Sequence, residues 1–156
     1  MPIEPGLVDH KLSFEEVDSF IKTGKLDELG RLRAPLMDYR AQLEQLKEKY
    51  HTVGDLMLST IFGFELRAHS ESGKLEAVWP SPVIPMTVWK LNDFPYALED
   101  GLEHHCLWST EFVTEQHVLD AIEKERVGYD CVHWINPSHL KSIGNVHHAH
   151  IISRKQ

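Results

Sequence analysis

The chain has 156 residues, 42% hydrophobic and 26% charged, enough for one domain with a real core and too few for two. Its formal net charge of -8 excludes an extended nucleic-acid surface, because a phosphate backbone asks for a spread of Lys and Arg. No apolar run approaches the roughly 20 residues of a membrane helix. MPIEPGLVDH at the start lacks the basic and apolar regions of a signal peptide, so the cytoplasm or nucleus is the expected location. Cys106 and Cys131 form neither a disulfide framework nor a CxxC pair, and both are expected to be buried thiols.

Ser13-Phe14-Glu15-Glu16 is a capping box, its hydroxyl and carboxylate satisfying backbone donors reciprocally, and the helix it opens should stop at Gly24. Over 31–50, Leu36, Tyr39, Leu43, Leu46 and Tyr50 step by three and four along one stripe, which predicts a surface helix with that stripe on the core. Pro35 suits its first turn, and Arg31 and Arg33 stand just before it. There the pair is either a phosphate-binding corner or two surface arginines held by the abundant acids. A third helix is predicted over 53–61.

Over 70–85 the composition shifts to Ser, Gly and Pro, read as a loop crossing into a second layer. A strand over 85–91 puts Thr87, Trp89 and Leu91 on one face, Met86, Val88 and Lys90 on the other, and Asn92-Asp93-Phe94-Pro95-Tyr96 ends it with turn chemistry. The strand over 102–109 opposes His105 and Leu107 to His104, Cys106 and Trp108. Thr114 caps a helix to about Arg126, and a strand over 129–135 follows, then a loop through Asn136-Pro137. Helices first, then strand, strand, helix, strand, strand predicts an α+β fold. In it N-terminal helices, about 13–62, pack on an antiparallel sheet, about 77–154, in one domain over 1–156.

The final stretch, SIGNVHHAHIISR, carries three histidines within four residues between β-branched neighbours, the pattern of a strand. His148 and His150 share a face with Ile152, and His147, Ala149 and Ile151 take the other. Two imidazoles about 7 Å apart on one face can hold one phosphate or one metal ion; the ordinary alternative is a solvated face of an edge strand.

LNDFPYALEDGLEHHCLWS, HWINPSHLKSIGNVHHAHI and RLRAPLMDY together resemble the fungal N-acetylglucosamine-induced protein family. The likeness rests on the turn from Asn92 to Tyr96, on His104 or His105 with Trp108, on Trp134, Asn136, Leu140, Lys141 and Ser142, and on His148 with His150. The layout is similar, more distantly, to the histidine-triad superfamily of nucleotide hydrolases and transferases. It departs in having Val146 and Ile152 beside His148 and His150 in the row where that pattern wants a third alternate histidine.

The resemblance implies a histidine-triad-like fold and a small nucleotide as ligand, a pyrimidine triphosphate such as CTP. His148, His150, Lys141 and Ser142 would meet phosphates, Asn92 and Asp93 the ribose or base, and Arg33 would close the anionic end. Lys90, Tyr96, His105, Trp108 and Asn136 complete the expected site. No HExxH, P-loop, Rossmann turn or GxSxG elbow occurs. No resident metal or cofactor is expected beyond Mg²⁺ accompanying a nucleotide, and no nucleic-acid or membrane partner. With one histidine of the row lost, binding without turnover is the leading expectation. A hydrolase or nucleotidyltransferase using His148 or His150 is the alternative, and an interaction module with idle surface histidines the third.

Overall fold

The structure, a computed structural model, describes residues 4, 6–141 and 143–156. Helix α1 (Phe14–Lys22) starts at the expected capping box: Glu16 N donates to Ser13 Oγ, and Ser13 N to Glu16 Oε1, both at 3.1 Å. Helix α2 (Arg33–Lys49) buries Leu36 and Tyr39 of its stripe and ends at buried Tyr50. Helix α3 (Val53–Phe62) opens on a second capping box, Thr52 with Asp55, and closes at Gly63 in the left-handed region.

The stretch expected as a loop contains a strand. β1 (Glu65–Ala68) and β2 (Leu75–Val78) form a two-stranded antiparallel sheet. Each is only four residues long, too short for alternation to stand out from the surrounding Ser and Gly. The missing partner is Asp55, 8% exposed: one carboxylate oxygen serves the Thr52 cap and the other accepts from Ala77 N at 2.9 Å. That pair of bonds ties the hairpin to α3.

The second sheet joins β3 (Thr87–Leu91), β4 (Leu102–Ser109), β5 (Tyr129–Trp134) and β6 (His147–Lys155) in the order β3-β4-β6-β5, every pair antiparallel. β3 begins two residues later than expected, because Met86 N donates to Thr110 Oγ1 at 2.8 Å before the ladder starts. β6 lies inside the sheet, and residues 148–153 are buried on both faces, so the solvated-edge reading does not hold.

One face packs Leu107, Ala149 and Ile151 against Val118 of α4 (Glu115–Glu125). The other carries His104, Cys106, Trp108, His148, His150 and Ile152, under the N-terminal helices and the hairpin. This is the α+β arrangement of four helices and two antiparallel sheets. No helix among the described residues is long and apolar enough to cross a membrane.

The approach to α2 is threaded between two segments: Arg31 N donates to Gly6 O at 2.8 Å, and Ala97 N to Gly30 O at 2.8 Å. A Cβ on Gly30 would lie 2.3 Å from the Gly6 carbonyl oxygen, backbone that cannot swing aside. Gly30→Ala should therefore cost about 2 kcal/mol or more and lower the calorimetric Tm. Gly144→Ala, where a Cβ meets nothing within 4 Å, should leave Tm within about 1 °C, and an equal drop for both would show that close approach is not what constrains Gly30.

Candidate functional site

A cavity of about 320 Å³ opens over the β4–β6 face. Leu36, Leu43 and Leu46 of α2 and Met57 of α3 supply an apolar wall. Facing it are Lys90, Asn92, Asp93 and Tyr96 from β3 and its turn, Cys106 and Trp108 from β4, Asn136 after β5, and His148 and His150 from β6. The register explains the convergence, since Trp134, His150, Cys106 and Lys90 form one row across the sheet and His148 pairs with Trp108 in the next.

Four expected residues lie elsewhere or cannot be placed. Arg33, in the first turn of α2, is exposed and takes no part in the wall; Arg31, two residues earlier, does. His105 points to the opposite face, where Arg126 Nη2 donates to its Nε2 at 2.7 Å and Trp89 stacks on it at 5.0 Å. Parity on β4 makes His104 the histidine on the cavity's side of the sheet. Lys141 is not in the wall, though its charge helps depress His148. Ser142 lies outside the described residues.

Each imidazole has an assigned set of partners. His148 donates from Nδ1 to the Val146 carbonyl at 2.9 Å, which leaves the Nε2 lone pair free, and stacks on Trp108 at 4.5 Å. His150 lies between Trp134, stacked at 5.0 Å, and His104, whose Nε2 is 2.9 Å from His150 Nδ1. His104 Nδ1 accepts the backbone N–H of Tyr96 at 3.1 Å.

Burial is the largest influence on all three. It lowers His104 to about 3, helped by Arg31, holds His150 well below the usual range, and lowers His148 despite the opposing Val146 bond. Burial also pushes the Cys106 thiol up to about 12. Neutral rings and a protonated thiol are thus the forms present near neutral pH.

Arg31 is the one wall cation without a carboxylate partner among the described residues. Its Nε and Nη2 donate to the Phe94 carbonyl at 3.1 and 2.7 Å, and Tyr39 and Tyr96 cover the guanidinium at 4.0 and 4.9 Å. Burial lowers its pKa, yet a guanidinium stays charged. By contrast, Lys90 holds Asp93 at 2.9 Å and Arg40 holds Glu4.

Ligand atoms of His104, Cys106 and His150 lie within 4.8 Å of one another, a metal-sized group. The donor chemistry does not fit. A neutral imidazole bound to metal through Nε2 carries its proton on Nδ1, but His104 Nδ1 already faces the Tyr96 N–H. The arrangement suits hydrogen-bonded recognition of a small anion.

Fold and site together define an α+β protein with a polar, histidine-lined cavity over a central strand. The sequence model of the family described as "Protein of unknown function (DUF3605)" matches residues 13–154, and the chain belongs to that family. The crystal structure of HTC1 has the same fold, with a TM-score of 0.65 at 17% identity, over 92% of this chain and 85% of that one. No curated protein matches the chain.

Neutral buried histidines make stability depend on pH. Burial takes His104 from its ordinary value of 6.5 when unfolded down to about 3 when folded, so its contribution is complete above 6.5 and is lost as pH falls through the interval down to about 3. His148 and His150 act in the same direction. Each histidine can contribute a slope of up to about 1.4 kcal/mol per pH unit. Urea unfolding should show stability dropping from pH 7 to 5, with a shallower slope in His104→Gln; a flat profile in the wild type would mean that these rings are not held neutral.

Proposed function

We propose that the chain binds a small nucleotide in this cavity and releases it unchanged, the phosphate meeting Arg31, His148 and His150. The sugar and base would lie along the Asn92–Tyr96 turn and the apolar wall. Arg31 carries this reading: a largely buried cation with no carboxylate partner among the described residues calls for an anionic ligand. The cavity volume sits at the small end of ligand pockets, about 300 to 1,000 Å³. With Lys90 and Arg40 already paired, the spare positive charge is Arg31's, which supports a monophosphate over the CTP first expected. The pyrimidine base rests on the resemblance to the N-acetylglucosamine-induced and histidine-triad proteins.

His148 supports a second reading, as a nucleotide hydrolase or transferase. Attack on phosphorus needs a neutral, aimed imidazole, and the Val146 carbonyl and Trp108 aim this one. Its Nε2 would form a P–N bond as the P–O bond to the leaving group breaks, and water would later release the phosphoryl group.

Calorimetric titration with cytidine, CMP, CDP and CTP, for the wild type and Arg31→Met, tests the proposal. CMP should bind at least as well as CTP and far better than cytidine, and Arg31→Met should cost about 2 kcal/mol, roughly thirtyfold in Kd. Equal binding of cytidine and CMP would remove the anionic pocket. Chromatography after long incubation should return intact nucleotide; product with phosphohistidine at His148 would decide for the second reading.

A further inference from the structure

The His104–His150 pair holds one proton more than its contacts can use. At one end Tyr96 N–H donates to His104 Nδ1 at 3.1 Å. At the other, the Trp134 indole, which can only donate, gives its proton to Asn136 Oδ1 at 3.0 Å and so turns the Asn136 NH₂ toward His150 Nε2 at 3.3 Å. Between them His104 Nε2 and His150 Nδ1 are 2.9 Å apart. Donors at both ends leave a place for a single ring proton, shared between the two inner nitrogens, whereas two neutral imidazoles bring two. One contact must set N–H against N–H.

The surplus resolves at His150. The Tyr96 donor is backbone and cannot turn away, and His104 is 1% exposed and no part of the cavity wall. His150 does line the cavity, and the Asn136 NH₂ has the Tyr96 hydroxyl as another acceptor at 3.4 Å. Cys106 Sγ, 3.6 Å from His150 Nδ1, also suits an accepting Nδ1, since the thiol is protonated. Asn92 Nδ2 approaches His104 Nε2 at 3.4 Å but has that sulfur as its acceptor at 3.7 Å. His104 therefore donates from Nε2 to His150 Nδ1, and His150 presents Nε2–H to the cavity. His148 is the reverse, with Nδ1–H on Val146 and a bare Nε2.

We propose that His104 is a positioning residue that fixes His150 as a donor, and that the donor at His150 beside the acceptor at His148 selects a phosphate monoester in its singly protonated form. One phosphate oxygen accepts from His150 and the P–OH donates to His148 Nε2; the ring centroids are 5.2 Å apart, within reach of one tetrahedral group. This rests on the nucleotide-binding reading and adds the protonation state that the site recognises.

Long-range ¹⁵N–¹H spectra of histidine-labelled protein read the tautomers directly. His104 and His150 should carry their protons on Nε2 and His148 on Nδ1; a proton on Nδ1 of His150 overturns the inference. His104→Leu should let His150 switch to Nδ1–H, whereas His104→Gln, whose amide can still donate, should keep Nε2–H. The wild-type spectrum decides alone if the leucine variant does not fold.

Phenyl phosphate and phenyl sulfate at about pH 5.5, below the second phosphate pKa of about 6, have nearly the same charge and shape and differ in one proton. Wild type should bind the phosphate at least tenfold more tightly, and His104→Leu, which removes the His150 donor that both ligands use, should weaken both while the bare Nε2 of His148 keeps the preference; equal wild-type affinities overturn the inference. CMP bound by protein whose His150 is protonated on Nδ1 overturns it and leaves the nucleotide reading standing, while failure of both CMP and phenyl phosphate to bind overturns both.

Discussion

The constraint on which the site depends is the placement of β6 between β4 and β5, buried on both faces. His148 and His150 on such a strand are largely withdrawn from water, and an unbonded buried polar group costs about 1 to 3 kcal/mol. Each imidazole is accordingly neutral and bonded. Val146 supplies a carbonyl to His148, and His104 meets the inner nitrogen of His150. What would be loose side chains on an edge strand become fixed donors and acceptors, which is what recognition of a small ligand requires.

The two adjacent histidines of β4 show how neighbours decide between structure and site. His105 sits in a closed network: Arg126 donates to it at 2.7 Å and reaches Glu103 at 3.2 Å, so the guanidinium has its counter-ion within the fold. His104 faces the cavity's side of the sheet, and the nearby cation, Arg31, has none among the described residues. In a chain of net charge -8, one uncompensated and largely buried cation says more about a ligand than the overall charge does.

Much of the fold was legible because local rules carried it. The Ser13 box, the α2 stripe, the turn after β3 and the parity of β6 all depend on residues close in sequence. What could not be read depended on distant partners. The β1–β2 hairpin exists because Asp55 accepts from Ala77, 22 residues away. Parity on β4 separated His104 from His105, but only pairing with β6 shows which face meets His150. Arg31 and Arg33 are both basic residues beside a helix start, and the choice between them falls to the segment from Gly6 to Val8 that clasps Arg31.

The missing third histidine of the β6 row weighs less than its absence suggested. Val146 is 2% exposed and packs with Leu58 and Trp108, so at this position the chain has core packing in place of a polar side chain. The bond that orients His148 comes from the Val146 carbonyl, which any residue there would provide. The departure from the alternating pattern therefore removes one titratable group without disturbing the aim of the next. Under the proposed function, what an aimed His148 does beyond accepting a proton from a phosphate turns on stabilising charge at the reacting centre. The fold offers Arg31 for that, but two of its three nitrogens are already held by the Phe94 carbonyl, so part of its donor capacity is taken up within the fold. Under the proposed function, such a partly committed cation is enough to hold a monophosphate and a thin basis for stabilising the extra charge of a transition state, which supports binding over cleavage.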